Sequence, residues 1–159
     1  MILPLLLLAQ VTPVQPLPKA ELPAPPADEA AVLAPITRLF DGIAAKDGAR
    51  ILAQVRPEGL GTAVAEKPDG TRAITTRTWS AFAANFKPGP GPSLEERAVG
   101  MPAVEIDGDI AMAWVPYVFL VDGKLAHCGT NHFDLVRDAG QWKILNVTWS
   151  QRTTGCEAP

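Results

Sequence analysis

The second half of the chain consists of long apolar segments separated by short turns rich in aspartate and glycine. The segments are residues 95–106, 110–121, 125–137 and 141–151, and the turns are residues 107–109, 122–123 and 138–140. Segments joined by turns of the Asp-Gly type pair as consecutive antiparallel hairpins. The sequence therefore predicts a four-stranded meander, and one of its faces must be covered by other elements.

The first half of the chain supplies those elements. Three segments place apolar residues at helical spacing: residues 32–43, residues 48–55 with Asp47 as the N-cap, and residues 77–86 with Thr75 or Thr76 as the N-cap. A strand is predicted at residues 60–66, followed by a turn at residues 67–70. The fold class is therefore α+β, with three N-terminal helices packed on one face of an antiparallel sheet.

The first 27 residues differ in composition from the rest. Residues 2–9 are an apolar run of the length found in the core of a secretory signal, although no basic residue precedes them. Residues 10–27 are rich in proline, which predicts an extended tether. We therefore predict one domain at residues 28–159 and export to a bacterial periplasm or exterior, with removal of roughly the first 9 to 25 residues.

Charge and composition exclude several classes of function. The net charge of −3 argues against a nucleic-acid partner. The sequence has no run of about twenty apolar residues, so we predict no membrane span. With two histidines and two cysteines, the chain matches no metal motif, and we predict no metal and no cofactor. Cys128 and Cys156 are predicted to form a disulfide that fastens the C-terminal tail in an oxidising compartment; in the cytosol they would remain thiols.

The order of these elements resembles the nuclear-transport-factor-2-like (NTF2-like) superfamily, which includes SnoaL-like cyclases and ketosteroid isomerases. The resemblance covers residues 28–152. It rests on the first helix with Asp47 and the short helix after it, on Trp79, Phe82 and Phe86, and on the closing hairpin with Gly140-Gln141-Trp142-Lys143-Ile144 and Trp149-Ser150. It implies a strongly curved sheet wrapped round the helices, with a conical pocket inside. Enzymes, binding proteins and assembly modules share this fold, so the fold gives function little support.

Histidine and aspartate on one strand suggest an acid–base pair. Ketosteroid isomerases need a tyrosine, a carboxylate base and a second oxyanion donor, and the corresponding positions, near Leu39, Lys67 and His132, do not match. His132 and Asp134 lie two residues apart and share a strand face, where a carboxylate could orient the imidazole. Alternatively, this face is the convex one, and the pair is solvated or lies in a dimer contact. His127 is expected to be exposed.

The opposite face of that strand is suited to a pocket wall. Asn131 and Phe133 are predicted to share it with Leu145 and Trp149, although a one-residue slip or bulge would exchange the two faces. Tyr117 could donate a hydrogen bond to a ligand. We therefore predict that a small, largely apolar molecule binds to Tyr117, Asn131, Phe133 and Trp149. The alternatives are a lyase or isomerase that uses His132 and Asp134, or a structural module that forms a homodimer.

Overall fold

The computed structural model describes residues 26–67 and 69–156. The predicted signal-like segment and most of the tether, residues 1–25, lie outside the described residues. The elements in chain order are α1 (Pro26–Ala44), α2 (Gly48–Leu52), β1 (Leu60–Glu66), β2 (Arg72–Thr78), α3 (Trp79–Ala83), β3 (Leu94–Ala98), β4 (Ala103–Asp107), β5 (Ile110–Val121), β6 (Lys124–Asp138) and β7 (Gln141–Gln151). The α+β class is confirmed. No helix of the described part is long and apolar enough to cross a membrane.

The strands form one curved, unclosed sheet of seven strands. Its order is β2-β1-β7-β6-β5-β3, and β4 also pairs with β5. The predicted hairpins β5–β6 and β6–β7 are present, but the sheet is mixed rather than antiparallel because β1 runs parallel to β7. A parallel pair requires a long connection, and the chain between β1 and β7 provides it.

The third helix begins later than predicted. Residues 72–78 form β2, which pairs with β1 along its whole length, and the cap is Thr78 rather than Thr75 or Thr76. The Thr78 hydroxyl accepts a hydrogen bond from the amide of Ala81 at 3.3 Å. β-Branched side chains favour strands, and the hydroxyls of Thr62 and Thr76 lie 3.0 Å apart across the pair. Residues 77 and 78 therefore pair with β1 as part of a strand, although the apolar spacing predicted that they belong to the helix.

The predicted strand at residues 95–106 is two strands. Both β3 and β4 pair with β5, β3 with its C-terminal half and β4 with its N-terminal half. Between them Gly100 adopts φ +70°, and Pro102 has no amide hydrogen to donate. This edge of the sheet therefore bends instead of running straight.

The helices cover the concave face of the sheet. Asp47 caps α2 as predicted, with Oδ1 accepting from the amides of Ala49 and Arg50 at 3.0 and 3.1 Å. Trp79 is buried, and its Nε1 donates to the carbonyl oxygen of Leu145 at 2.8 Å. Leu145 is the extra residue of a bulge in the β6–β7 pair.

That bulge corrects the predicted pocket wall. Register passes from Asp134↔Asn146 to Leu135↔Ile144, so Leu145 has no partner across the pair. Ile144 is fully buried in the core, whereas Leu145 is half-buried. Leu145 therefore does not share the concave face with Trp149, because one extra residue exchanges the two faces of a strand.

The C-terminal tail is fastened to the sheet. Cys128 and Cys156 form a disulfide with their Cα atoms 5.7 Å apart, which confirms the predicted pairing. The backbones of Cys128 and Arg152 exchange two hydrogen bonds of 3.0 and 2.9 Å. The bridge covers a small apolar cluster that includes Val118 and Leu120, and it is compatible with an oxidising compartment.

Candidate functional site

A cavity lies between the helices and the concave face of the sheet. Its volume is about 190 Å³, and it is open to solvent on one side. The wall is mainly aromatic and aliphatic, with a few polar groups: Leu39, Ile43, Trp79, Phe82, Phe86, Glu96, Tyr117, Phe119, His127, Asn131, Phe133, Val147, Trp149 and Gln151. An apolar cavity of about 150 Å³ holds benzene, so this one suits a molecule of one or two rings.

Phe82 lies at the centre of the aromatic wall. Its ring meets the ring of Trp79 edge-on at 5.8 Å between centroids and that of Trp149 at 6.2 Å. The ring of Phe86, three residues beyond the end of α3, lies with its centroid 5.1 Å from that of Phe82. Edge-to-face packing of this kind fixes the rings in place, so the wall is preformed rather than assembled by a ligand.

Tyr117 is held by a hydrogen bond across the sheet. Its hydroxyl donates to the carbonyl oxygen of Ser150 at 3.0 Å. The ring has room because residue 129 is glycine: a Cβ there would overlap the Ser150 carbonyl and lie 2.9 Å from Cε1 of Tyr117. Burial, and to a lesser degree the nearby Glu96 carboxylate, raises the pKa of Tyr117. The hydroxyl is therefore a neutral group at the cavity wall.

Glu96 and Asn131 form the polar part of the cavity. Nδ2 of the buried Asn131 donates to Oε1 of Glu96 at 2.7 Å. Glu96 as a whole residue is only half-buried, yet desolvation of its carboxyl raises the pKa to about 7 against the opposing effect of Asn131. Within residues 26–67 and 69–156, no basic side chain lies at ion-pair distance from Glu96. Its charge is therefore uncompensated and changes near neutral pH.

Sequence reasoning missed Glu96, although a signal was present. Glu95, Glu96 and Arg97 are consecutive in a strand, and successive side chains of a strand point to opposite faces. Glu95 and Arg97 pair with each other, Nη2 to Oε1 at 2.7 Å. The residue between them must point to the other face, which here is the cavity.

His127 lies in the cavity wall and is not exposed as predicted. Its ring stacks on Phe119 with centroids 4.7 Å apart and planes 11° apart, and it meets Tyr117 edge-on at 5.8 Å. Pairing shifts from Phe119↔His127 to Leu120↔Leu125, so this hairpin also contains a bulge. The extra residue of that bulge is Ala126, so His127 keeps the alternation of β6 and shares the concave face with Asn131 and Phe133. Desolvation there lowers the pKa of His127.

The other predicted site residues separate into two groups. Tyr117, Asn131, Phe133 and Trp149 all line the cavity. His132 and Asp134 lie on the opposite strand face, with Nε2 and Oδ1 3.9 Å apart, and the ring of His132 lies 6.0 Å from that of the half-exposed Trp114. The catalytic role of this pair stays a prediction. In the described part of the chain, no group of three His, Cys, Asp or Glu residues could hold a metal ion.

Sequence comparison identifies the family. The family described as "Putative lumazine-binding" matches residues 27–150, which is most of the chain. The chain belongs to this family. The family has the NTF2-like fold, so the resemblance noted from the sequence is confirmed. Among proteins with curated functions, none matches the sequence.

Solved structures agree on the fold. An NTF2-like superfamily protein from Salmonella enterica serovar Typhimurium is 18% identical with a TM-score of 0.62, covering 82% of this chain and 96% of that one. A cystatin-like-fold protein from Nostoc punctiforme is 11% identical with a TM-score of 0.63, covering 82% and 95%. An NTF2-like protein from Novosphingobium aromaticivorans is 18% identical with a TM-score of 0.60, covering 82% and 84%. At these identities the likeness concerns the fold alone.

Proposed function

We propose that this member of the family binds a small, flat, largely apolar molecule of one or two aromatic rings in the concave cavity. The observation that carries the proposal is the preformed aromatic wall around a volume of about 190 Å³ that is open on one side. Pockets of this kind, apolar with a few convergent polar groups, are the usual form of a ligand site. The family description agrees in kind, because lumazine is a two-ring heteroaromatic molecule.

A pair of variants on one strand tests the proposal. Val147 lines the cavity, and its neighbour Thr148 is exposed on the other face of β7. Val147→Phe should fill the cavity, whereas Thr148→Phe adds the same ring outside it. With 2-naphthylmethanol as the probe in calorimetric titrations, we expect the wild type and Thr148→Phe to bind equally and Val147→Phe to lose at least about tenfold in affinity. Equal binding by Val147→Phe would place the probe elsewhere.

Two other functions remain hypotheses. A lyase or isomerase that uses His132 and Asp134 is supported by their distance of 3.9 Å, and a homodimer through the convex face is supported by Trp114, which is 50% exposed there.

We also propose that the protein acts in the periplasm or outside the cell, which the disulfide supports. The intact mass of the native protein tests this, because export predicts the loss of roughly the first 9 to 25 residues.

A further inference from the structure

The Glu96 carboxyl lies among groups that cannot neutralise it. On its own strand, Arg97 is paired with Glu95 on the outer side. From the other elements, the wall of its cavity presents the phenol of Tyr117, the ring of His127, and the amides of Asn131 and Gln151. Asp41 of α1 borders a neighbouring depression that also touches Glu96 and Arg97. Beyond β7, Arg152 acts electrostatically on Tyr117.

At neutral pH the groups of the cavity wall supply hydrogen bonds but no positive charge, and among the described residues neither Arg97 nor Arg152 lies within ion-pair distance of Glu96. Desolvation keeps His127 neutral, and Tyr117 keeps its proton. A carboxylate that is desolvated without a counter-ion costs free energy, and a ligand carrying an opposite charge would offset that cost.

The rest of the wall also favours a cation. Aromatic ring faces attract cations, most strongly where water is excluded, and aromatic boxes with a carboxylate suit ammonium groups. Phe119, Phe82 and Trp149 line the same cavity as Glu96. A neutral ligand would leave the carboxylate uncompensated, and an anionic ligand would be repelled by it.

We infer that the cavity selects a protonated amine attached to one or two aromatic rings, with Glu96 as the group that binds the ammonium and Asn131 as the residue that positions the carboxylate. The inference rests on the proposed function and adds the charge of the ligand to it. Affinity for such an amine should fall as the pH falls below neutrality, because Glu96 gains a proton and no longer attracts the ammonium. Amine binding at pH 7 should release a proton from the fraction of Glu96 that is protonated.

Three probes of matched shape separate this inference from the proposed function. They are 2-naphthylmethylamine, 2-naphthylmethanol and 2-naphthoate, which are cationic, neutral and anionic at pH 7.5. The proteins are the wild type, Glu96→Gln, and Glu95→Gln as a control one residue away on the outer face. Calorimetric titrations at pH 7.5 and 5.5, repeated at pH 7 in two buffers of different ionisation enthalpy, give affinities and proton release.

We expect the wild type and Glu95→Gln to bind the amine at least about tenfold more tightly than the alcohol at pH 7.5. Glu96→Gln should abolish this preference while binding the alcohol as the wild type does, which also shows that the variant is folded. An alcohol that binds without any preference for the amine overturns the inference and leaves the proposed function intact. A preference that survives in Glu96→Gln also overturns it. If no probe binds, the proposed function fails and the inference fails with it.

Discussion

The carboxyl of Glu96 should make the stability of the fold depend on pH. Its pKa is about 7 in the folded protein against an ordinary value of 4.5. Below pH 4.5 both the folded and the unfolded chain hold the proton. As the pH rises from 4.5 to about 7, the unfolded chain releases this proton first, so the free energy of unfolding falls across this window and is constant above it. The decrease in the free energy of unfolding is about 1.4 kcal/mol for each pH unit; reduced for the partial exposure of Glu96, the total decrease is about 2–3 kcal/mol.

Glu96→Gln should remove this loss, because the amide has nearly the same shape and does not ionise. Urea unfolding of the wild type, Glu96→Gln and Glu95→Gln at pH 5 and pH 8 gives the free energies. His127, whose pKa is lowered, makes the stability rise with pH instead, but it is present in all three proteins and cancels in the differences. We expect the free energy of unfolding of Glu96→Gln, relative to that of the wild type, to be about 2 kcal/mol greater at pH 8 than at pH 5. A difference that is the same at both pH values would refute the assignment of a desolvated carboxyl, as would an equal change in Glu95→Gln.

Three further variants test other parts of the account. Cys156→Ser opens the loop of 28 residues closed with Cys128 and should lower the free energy of unfolding by about 2–4 kcal/mol, to the value that the wild type reaches in dithiothreitol; a reductant-sensitive variant would contradict this. Gly129→Ala should displace Tyr117 and cost about 2–3 kcal/mol in urea unfolding, and a cost below about 0.5 kcal/mol would contradict the close packing. His132→Gln should leave naphthylmethanol affinity unchanged, whereas an effect as large as that of Val147→Phe would mean that the convex face contributes to binding.

The parts of the fold set by local chemistry could be predicted from the sequence. The turns at residues 122–123 and 138–140 are where Asp122, Ala139 and the adjacent glycines adopt positive φ, which aspartate and glycine tolerate. Alternation along β6 then separated Asn131 and Phe133 from His132 and Asp134, and the structure has this separation. The tail folding back to join Cys156 to Cys128 followed from the same hairpin.

The parts that depend on distant contacts could not be predicted. Two bulges, next to Phe119 and at Leu145, exchange strand faces, and a sequence pattern of period two contains no sign of where an extra residue enters. The second coincides with a hydrogen bond from Trp79, which lies 66 residues away in the chain. His127 and Glu96 are different, because strand alternation could have revealed both. His127 lies an even number of residues from Asn131 on β6, and Glu96 lies between the paired Glu95 and Arg97.

The central claim, that a small molecule binds in the concave cavity, is tested most directly by the tryptophan indole signals. Each of the four tryptophans gives one indole Nε1–H resonance in a ¹⁵N–¹H correlation spectrum. Trp79 and Trp149 line the cavity, whereas Trp114 and Trp142 lie outside it. On titration with 2-naphthylmethanol, the account predicts shifts of the Trp149 and Trp79 resonances, saturating together, with Trp114 and Trp142 unmoved. A shift confined to Trp114, or no shift at saturating probe, would contradict it.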